Sequence, residues 1–479
     1  MHRTPAMQRL LALVSSFLFI GMVPAPLACA GEARPQPNII VVFCDDMGWG
    51  DLGCFGNPTI RTPNLDRLAA EGQKWTQFYA ASPLCTPSRA GLLTGRYPVR
   101  NGMCSAKAAV LLPDSGGGLP PEEITVAELL QRKGYATGCF GKWHLGHLPR
   151  FLPTAQGFDT FYGIPYSNDM DFDGRGPDYF TEAGNDPDYM PDFAHYRVPL
   201  MQDERIVERP VDQRTLTRRC TEKAVDFITT HRDEPFFVYL PYVMPHAPLF
   251  CAEDVRGRSR RGLYGDVVEE LDRSVGRLMA TLEELNIEGD TLLMFSSDNG
   301  PWLHFRTHGG SPGPLRGGKG TTFEGGQRAP TIFWWPGRIP PGSVVSDLGC
   351  ATDLLATVAA LTGAPLPTDR KLDSLDLSPA LLGTGRSPRK SMAYWTLGTV
   401  QAFREGPWKL HVGKRHPVEY WRAEPPTAPE LYNVEQDIAE AYDVADRHPD
   451  IVERLRKAMA AHEADIDPVP DQLAIPHSP

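Results

Sequence analysis

Asp45-Asp46 places two adjacent carboxylates directly after an apolar run, and Asp298-Asn299 places an acid and an amide directly after another. Adjacent carboxylates at a strand end are costly unless a cation or hydrogen bonds satisfy them. Lys142 and His144 stand two apart at the end of a third apolar run, a spacing that lets both side chains point the same way. His246 sits between Pro245 and Pro248, where the backbone has little freedom and a side chain can be held in place. Lys319 and Arg316 lie in a glycine-rich stretch, Gly309 to Gly326, that lacks the Walker spacing of a phosphate loop. Cys85-Thr86-Pro87-Ser88-Arg89 reads as the start of a short helix: Thr86 suits the N-cap, Pro87 the first turn, and Gly95 the residue after the last. Cys85 would then stand at the positive helix end, with Arg89 one turn on along the same face. A solvated loop or an ordinary buried cysteine would explain any one of these groups alone. The joint pattern argues for a site.

The elements that must position these residues are legible as periodic runs. Asn38–Cys44, Tyr135–Phe140, Phe236–Leu240, Thr291–Ser297 and Thr331–Trp335 are continuous apolar or β-branched runs, as expected of strands buried on both faces of a parallel sheet. Helical patterns alternate with them over Thr62–Ala69, Thr125–Lys133, Leu216–Arg232, Tyr264–Leu285 and Thr352–Leu361. Alternation up to about residue 385 predicts a doubly wound α/β domain, whose ligands bind beyond the carboxyl ends of the strands. Residues 150–215, dense in Pro, Gly, Asp and aromatics, are expected to be loops around the mouth, with Ser167 reaching inward. Beyond 385, short polar strands and a helix over Pro449–Glu463 suggest a small antiparallel sheet packed by one helix, ending in a loose tail of a dozen residues.

Composition narrows the partners. With a formal net charge of −11 and no basic run, the chain has no footprint for nucleic acid, so an anionic substrate must meet a local cluster of cations. Residues 1–30 read as a secretory leader: Arg3 and Arg9, an apolar run from Leu10 to Val23, then Ala28-Cys29-Ala30 as a small-residue cleavage site. That run is short for a stable membrane span. Lipoprotein cleavage before Cys29 is the weaker reading, because Pro26 stands where an aliphatic residue is preferred. The expected product is exported, periplasmic or secreted, and begins near Gly31. Nine cysteines do not imply a dense disulfide framework, since removing Cys29 and reserving Cys85 leaves an odd number; Cys44 and Cys139 fall in strand-like runs and read as buried thiols.

Cys85-Thr86-Pro87-Ser88-Arg89 followed by Leu93-Thr94-Gly95-Arg96 resembles the signature of the type I sulfatases, whose cysteine is oxidised to Cα-formylglycine. Asp45-Asp46, the Gly141–Gly146 run around Lys142 and His144, Met244–Pro248, Asp298-Asn299-Gly300 and Gly318–Gly326 resemble the family's other motifs in order. The likeness runs from about Pro37 to at least Pro340, is nearest the arylsulfatase A and N-acetylgalactosamine-6-sulfatase branch through Gly163–Ser167, and resumes at Glu430–Asn433. It implies an alkaline-phosphatase-like fold with a leader at 1–30, a catalytic domain over 31–385 and a C-terminal subdomain over 386–479. It further implies a divalent cation, calcium with magnesium as the alternative, bound by Asp45, Asp46, Asp298 and Asn299 and touched by Cys85 as formylglycine. Arg89, Lys142, His144, Ser167, His246 and Lys319 match the family's sulfate-site residues. In the implied reaction a hydroxyl of the hydrated aldehyde attacks sulfur and His246, with Lys319, protonates the leaving alcohol. A base such as His144 then lets the second hydroxyl expel sulfate. Sulfated small molecules or glycans are the implied substrates, and a formylglycine-generating enzyme the implied maturation partner. Phosphonate monoester or phosphodiester hydrolysis is the alternative chemistry, and an inactive sulfoglycan-binding protein the non-enzymatic one.

Overall fold

The computed structural model describes residues 36–477. The expected leader lies outside them. In chain order the strands are β1 Asn38–Cys44, β2 Gln73–Trp75, β3 Phe78–Tyr79, β4 Ala136–Lys142, β5 Thr160–Ile164, β6 Leu200–Gln202, β7 Arg205–Glu208, β8 Phe236–Pro241, β9 Thr291–Ser297, β10 Thr331–Trp334, β11 Ser343–Val345 and β12 Gly349–Cys350. Ten of these form one mixed, mostly parallel sheet in the order β11-β2-β10-β9-β1-β8-β4-β5-β6-β7, while β3 and β12 pair separately. At its centre β9, β1, β8, β4 and β5 are mutually parallel, so their carboxyl ends emerge side by side.

The apolar run of β1 is fully buried because both of its faces are covered. Ile40, Val42 and Cys44 enter one core with helices α1 (Pro63–Glu71), α5 (Leu216–Thr230) and α6 (Gly262–Glu284). Ile39, Val41 and Phe43 enter a second core with α2 (Cys85–Thr94), α3 (Val126–Gln131) and α8 (Leu354–Thr362). Each such side chain contributes about 1.5–3 kcal/mol by leaving water. The eight cysteines among the described residues are all free, with Cys44 and Cys139 buried as expected.

Three expectations are corrected. The helix of the cysteine motif begins at Cys85 itself, and Thr86 is no cap: its hydroxyl donates to the carbonyl of His144 (3.1 Å) and accepts the N–H of Leu111 (3.2 Å). Gly95 does close that helix, left-handed, with its N–H on Gly91 O. The 150–215 segment is not all loop, since β5, β6 and β7 extend the main sheet and α4 (Tyr179–Asn185) lies among them. Up to residue 477 the final segment is not a loose tail either: Leu473 is buried, Gln472 donates a backbone hydrogen bond to Gly102 O, and Gly116 donates one to Ile475 O.

Past α9 (Ser378–Leu381), strands β13 Ser391–Thr396, β14 Thr399–Glu405, β15 Trp408–His411 and β16 Glu430–Asn433 make an antiparallel sheet, covered by α10 (Pro449–Ala464) through Leu455 and Met459. A buried charged seam joins this sheet to the short helix α7 (Glu324–Gln327). Lys409 of β15 lies 2.9 Å from Glu324 and 3.0 Å from Glu440, and Glu440 also pairs with His411 at 2.7 Å.

Candidate functional site

The register of the central strands assembles the candidate residues. Cys44 of β1 faces Ser297 of β9, so Asp45-Asp46 and Asp298-Asn299 leave the sheet next to each other. Asp46 takes a left-handed φ of 64°, and its N–H meets Asp298 Oδ1 at 3.2 Å. Lys142 ends β4, two strands from β1, and its ammonium donates to Asp45 Oδ2 and to Ser167 Oγ (3.0 Å). Gly141 and Gly163 make this corner possible. A Cβ on Gly141, at φ 144°, would lie 1.9 Å from Pro241 O, and one on Gly163 would lie 1.8 Å from Gly141 O.

The other residues close around this group. Arg89 on α2 donates twice to Asp298 Oδ2 (3.0 and 2.7 Å) and once to Lys142 O (2.9 Å). Lys319 donates to Asp46 Oδ2 at 2.8 Å, and Asn299 Nδ2 donates to Asp46 Oδ1 at 2.6 Å. His246 follows β8, with Nε2 3.6 Å from Asp46 Oδ2 and 3.5 Å from Ser167 Oγ. The ligating atoms of Asp45, Cys85 and Asp298 lie within 4.8 Å of one another, and so do those of Asp45, Asp46 and His246. All of these side chains are buried. His144 is anchored through one nitrogen: its Nε2 lies 3.0 Å from Leu111 O, which can only accept, so Nε2 carries the proton and Nδ1 is an acceptor with no partner among the described residues. Arg316 is not part of the group, since it donates to Glu440 O and stacks on Phe323.

A family model described as Sulfatase matches residues 37–364. The chain belongs to the sulfatase family. A second model, for the C-terminal region of aryl-sulfatase, matches residues 387–478. Arylsulfatase A of Homo sapiens is 43% identical over 456 residues, covering 89% of this sulfatase and 87% of the relative. N-acetylgalactosamine-6-sulfatase of Canis lupus familiaris is 42% identical over 405 residues, covering 82% and 75%. The solved structure of the PsFucS1 sulfatase from Pseudoalteromonas sp. superposes with a TM-score of 0.78 at 30% identity, covering 90% of each chain.

Electrostatics of the sulfatase site favour a hard cation. Burial, reinforced for Asp298 by Asp45, pushes Asp46 up to about 6 and Asp298 to about 7. Burial acts on Asp45 too, but Lys142, His246 and Arg89 outweigh it and hold that carboxyl below the usual range. Asp45 Oδ1 and Asn299 Oδ1 are buried acceptors with no donor among the described residues. An all-oxygen set with orphaned acceptors suits calcium or magnesium rather than zinc, so the residues present fit a divalent cation. Burial, and then the neighbouring Lys142 for His144 and Lys319 for His246, depresses both histidines below the ordinary imidazole range. Burial also raises the Cys85 thiol to about 11, so as a cysteine it would be a poor nucleophile.

Two neighbours of the site were not legible in the sequence. Trp302 stands three residues after Asn299, with Lys319 Nζ 4.1 Å from its ring centroid and His246 at 5.2 Å. Asp169, two residues after Ser167, is half-buried, and its buried Oδ1 has no partner among the described residues. Proximity in sequence to Asn299 and Ser167 was the available signal for both.

Proposed function

We propose that this sulfatase is an exported enzyme that hydrolyses sulfate monoesters of carbohydrates, with aryl sulfates as surrogate substrates. The proposal includes a leader at 1–30, a catalytic domain over 31–385, a C-terminal subdomain over 386–479, and maturation of Cys85 to Cα-formylglycine by a dedicated enzyme. The observation that carries it is the convergence of Arg89, Lys142 and Lys319 with Cys85, at the start of α2, on an acid–amide cradle. Likeness to an N-acetylgalactosamine-6-sulfatase supports the carbohydrate class. Among the described residues no helix is long and apolar enough to cross a membrane.

Asp45, Asp46, Asp298 and Asn299 would hold the cation, calcium or magnesium, beside residue 85. The matured residue 85 supplies a hydrated aldehyde nucleophile, and the cation supplies Lewis-acid stabilisation. The chain's own side chains do the rest. A sulfate ester resists attack because its oxygens are negative, and Arg89, Lys142 and Lys319 offset that charge in a dry pocket, where fixed cations act most strongly. Ser167, donated to by Lys142, orients one oxygen. His246 delivers a proton to the departing alcohol oxygen, and His144, whose Nδ1 is free to accept, takes one during release of sulfate.

Substrate selection tests the reading. Matured protein should hydrolyse 4-nitrophenyl sulfate much faster than the matching phosphonate ester, and peptide mass analysis should find an aldehyde at residue 85. Faster phosphonate turnover, or full activity with an unmodified and alkylatable Cys85, would overturn it.

A further inference from the structure

A continuous line of ring contacts leads out of the site. His246 touches Trp302 (5.2 Å between ring centroids), Trp302 touches Phe305 (4.6 Å), Phe305 touches His304 (5.6 Å), and His304 touches Trp421 edge-on (4.6 Å). Phe180 of α4 lies flat on His304, 4.0 Å away with planes 7° apart, and fixes that ring. The line ends in solvent, where Trp421 is 51% exposed although its side chain is large and apolar. A lone exposed aromatic is unremarkable; one that ends a built ladder of rings starting at the sulfate site is not.

The outer rung comes from the C-terminal sheet. Trp421 lies in the connection between β15 and β16, and its neighbour Tyr420 packs on the backbone beside Lys319. Gly320, at φ 80°, is required there, because a Cβ would fall 2.1 Å from Tyr420 Cγ. At the inner end, the indole N–H of Trp302 is buried and has no acceptor among the described residues, although a buried Trp normally donates. The ladder thus offers a half-exposed indole at its outer end, partly exposed rings along the way and one unspent donor near His246. That combination matches pyranose rings, which present apolar C–H faces and hydroxyl edges. Its length, four steps of 4.6 to 5.6 Å, exceeds a single aryl group.

We infer that Trp302, His304 and Trp421 form a stacking subsite that holds the sugar units next to the sulfated residue, making the enzyme selective for sulfated oligosaccharides over isolated sulfated sugars. The inference rests on the proposal that His246 and Lys319 flank the sulfate. It assigns the β15–β16 connection a part in substrate choice.

The test compares N-acetylgalactosamine 6-sulfate with a chondroitin tetrasaccharide ending in that residue, using 4-nitrophenyl sulfate as the reference. Matured wild-type enzyme should give a higher kcat/KM on the tetrasaccharide than on the monosaccharide. Trp421→Ala and His304→Ala should each lower the tetrasaccharide value by about 2- to 10-fold relative to nitrophenyl sulfate, mainly through KM, as expected for the loss of one aromatic contact. Equal wild-type values for the two sugars, or equal losses on all three substrates, would overturn the subsite while leaving the sulfatase reading intact. Should no sulfate ester be turned over, that reading fails separately. Tryptophan fluorescence with the unsulfated tetrasaccharide then decides the subsite: quenching in wild type that is lost in Trp421→Ala supports it, and no quenching overturns it.

Discussion

Replacing Lys409 with methionine would leave a hole in the charge balance between the C-terminal sheet and the catalytic body. Its ammonium is fully buried, 2.9 Å from Glu324 and 3.0 Å from Glu440. Burial alone would raise both carboxyls. Lys409, with Arg404 and Arg328 for Glu324 and with His411 for Glu440, outweighs burial and holds both below the ordinary range. Removing one partner of a buried pair typically destabilises by about 3–5 kcal/mol, because an uncompensated charge stays behind. Arg328, 3.2 Å from Glu324, and His411, 2.7 Å from Glu440, remain, so the lower end, about 3 kcal/mol, is expected at pH 7. With an unfolding entropy of about 2 cal/mol/K per residue over roughly 440 residues, that is a fall in Tm of about 3 °C, measurable by scanning calorimetry. The pH sign is fixed. A carboxyl held low when folded contributes stability above its unfolded pKa, about 4.3, and loses it as the pH falls toward the folded value. The gap between wild type and Lys409→Met should therefore be widest near neutrality and narrow below about pH 4. Adding Glu324→Gln to Lys409→Met should recover part of the loss. A variant melting within 1 °C of wild type at about pH 7 would refute the claim that this seam joins the two parts.

Two further outcomes follow from the site itself. Asp298→Ala should abolish sulfate-ester turnover and lower bound calcium or magnesium measured by elemental mass spectrometry; full turnover in chelator-treated, metal-free protein would refute the cation assignment. His246→Ala should lose far more kcat/KM on a carbohydrate sulfate than on 4-nitrophenyl sulfate, within the roughly 10²–10⁴-fold range of general acid catalysis, since nitrophenolate leaves without a proton. Equal losses would remove His246 from the acid role and leave Lys319 as the better candidate.

The legible parts of this fold are those whose burial is complete. The runs Asn38–Cys44 and Thr291–Ser297 match β1 and β9 to the residue, because a strand covered on both faces has no solvent-facing position to blur it. The site acids come immediately after these strands, so they were legible with them. β7, whose Arg205-Ile206-Val207-Glu208 is mostly exposed at the sheet edge, carried no such signal, and β6 has only three residues. Thr86 was misread because a threonine before proline satisfies the local capping rule, whereas its hydroxyl is used by His144 and Leu111, far along the chain. The ring ladder was invisible for the same reason: Phe180, His304 and Trp421 meet only when three separate connections converge.

The site's charge inventory explains why cation and substrate belong together. Arg89 meets Asp298, Lys142 meets Asp45, and Lys319 meets Asp46, so with all three carboxylates ionised the charges cancel in pairs. A pocket balanced in this way has no net pull on an anion. The same three carboxylates, with Asn299, are the proposed cation ligands. A divalent ion placed among them would turn a neutral cluster into one with two excess positive charges, and it would compete with the ammonium groups for carboxylate oxygens. Lys142 and Lys319 would then be left to bind sulfate oxygens, while Arg89, anchored by Lys142 O as well as by Asp298, stays in place. On this account the cation contributes to affinity for the sulfate group as well as to chemistry at sulfur, and the acids around it set the charge of the site rather than act on the substrate.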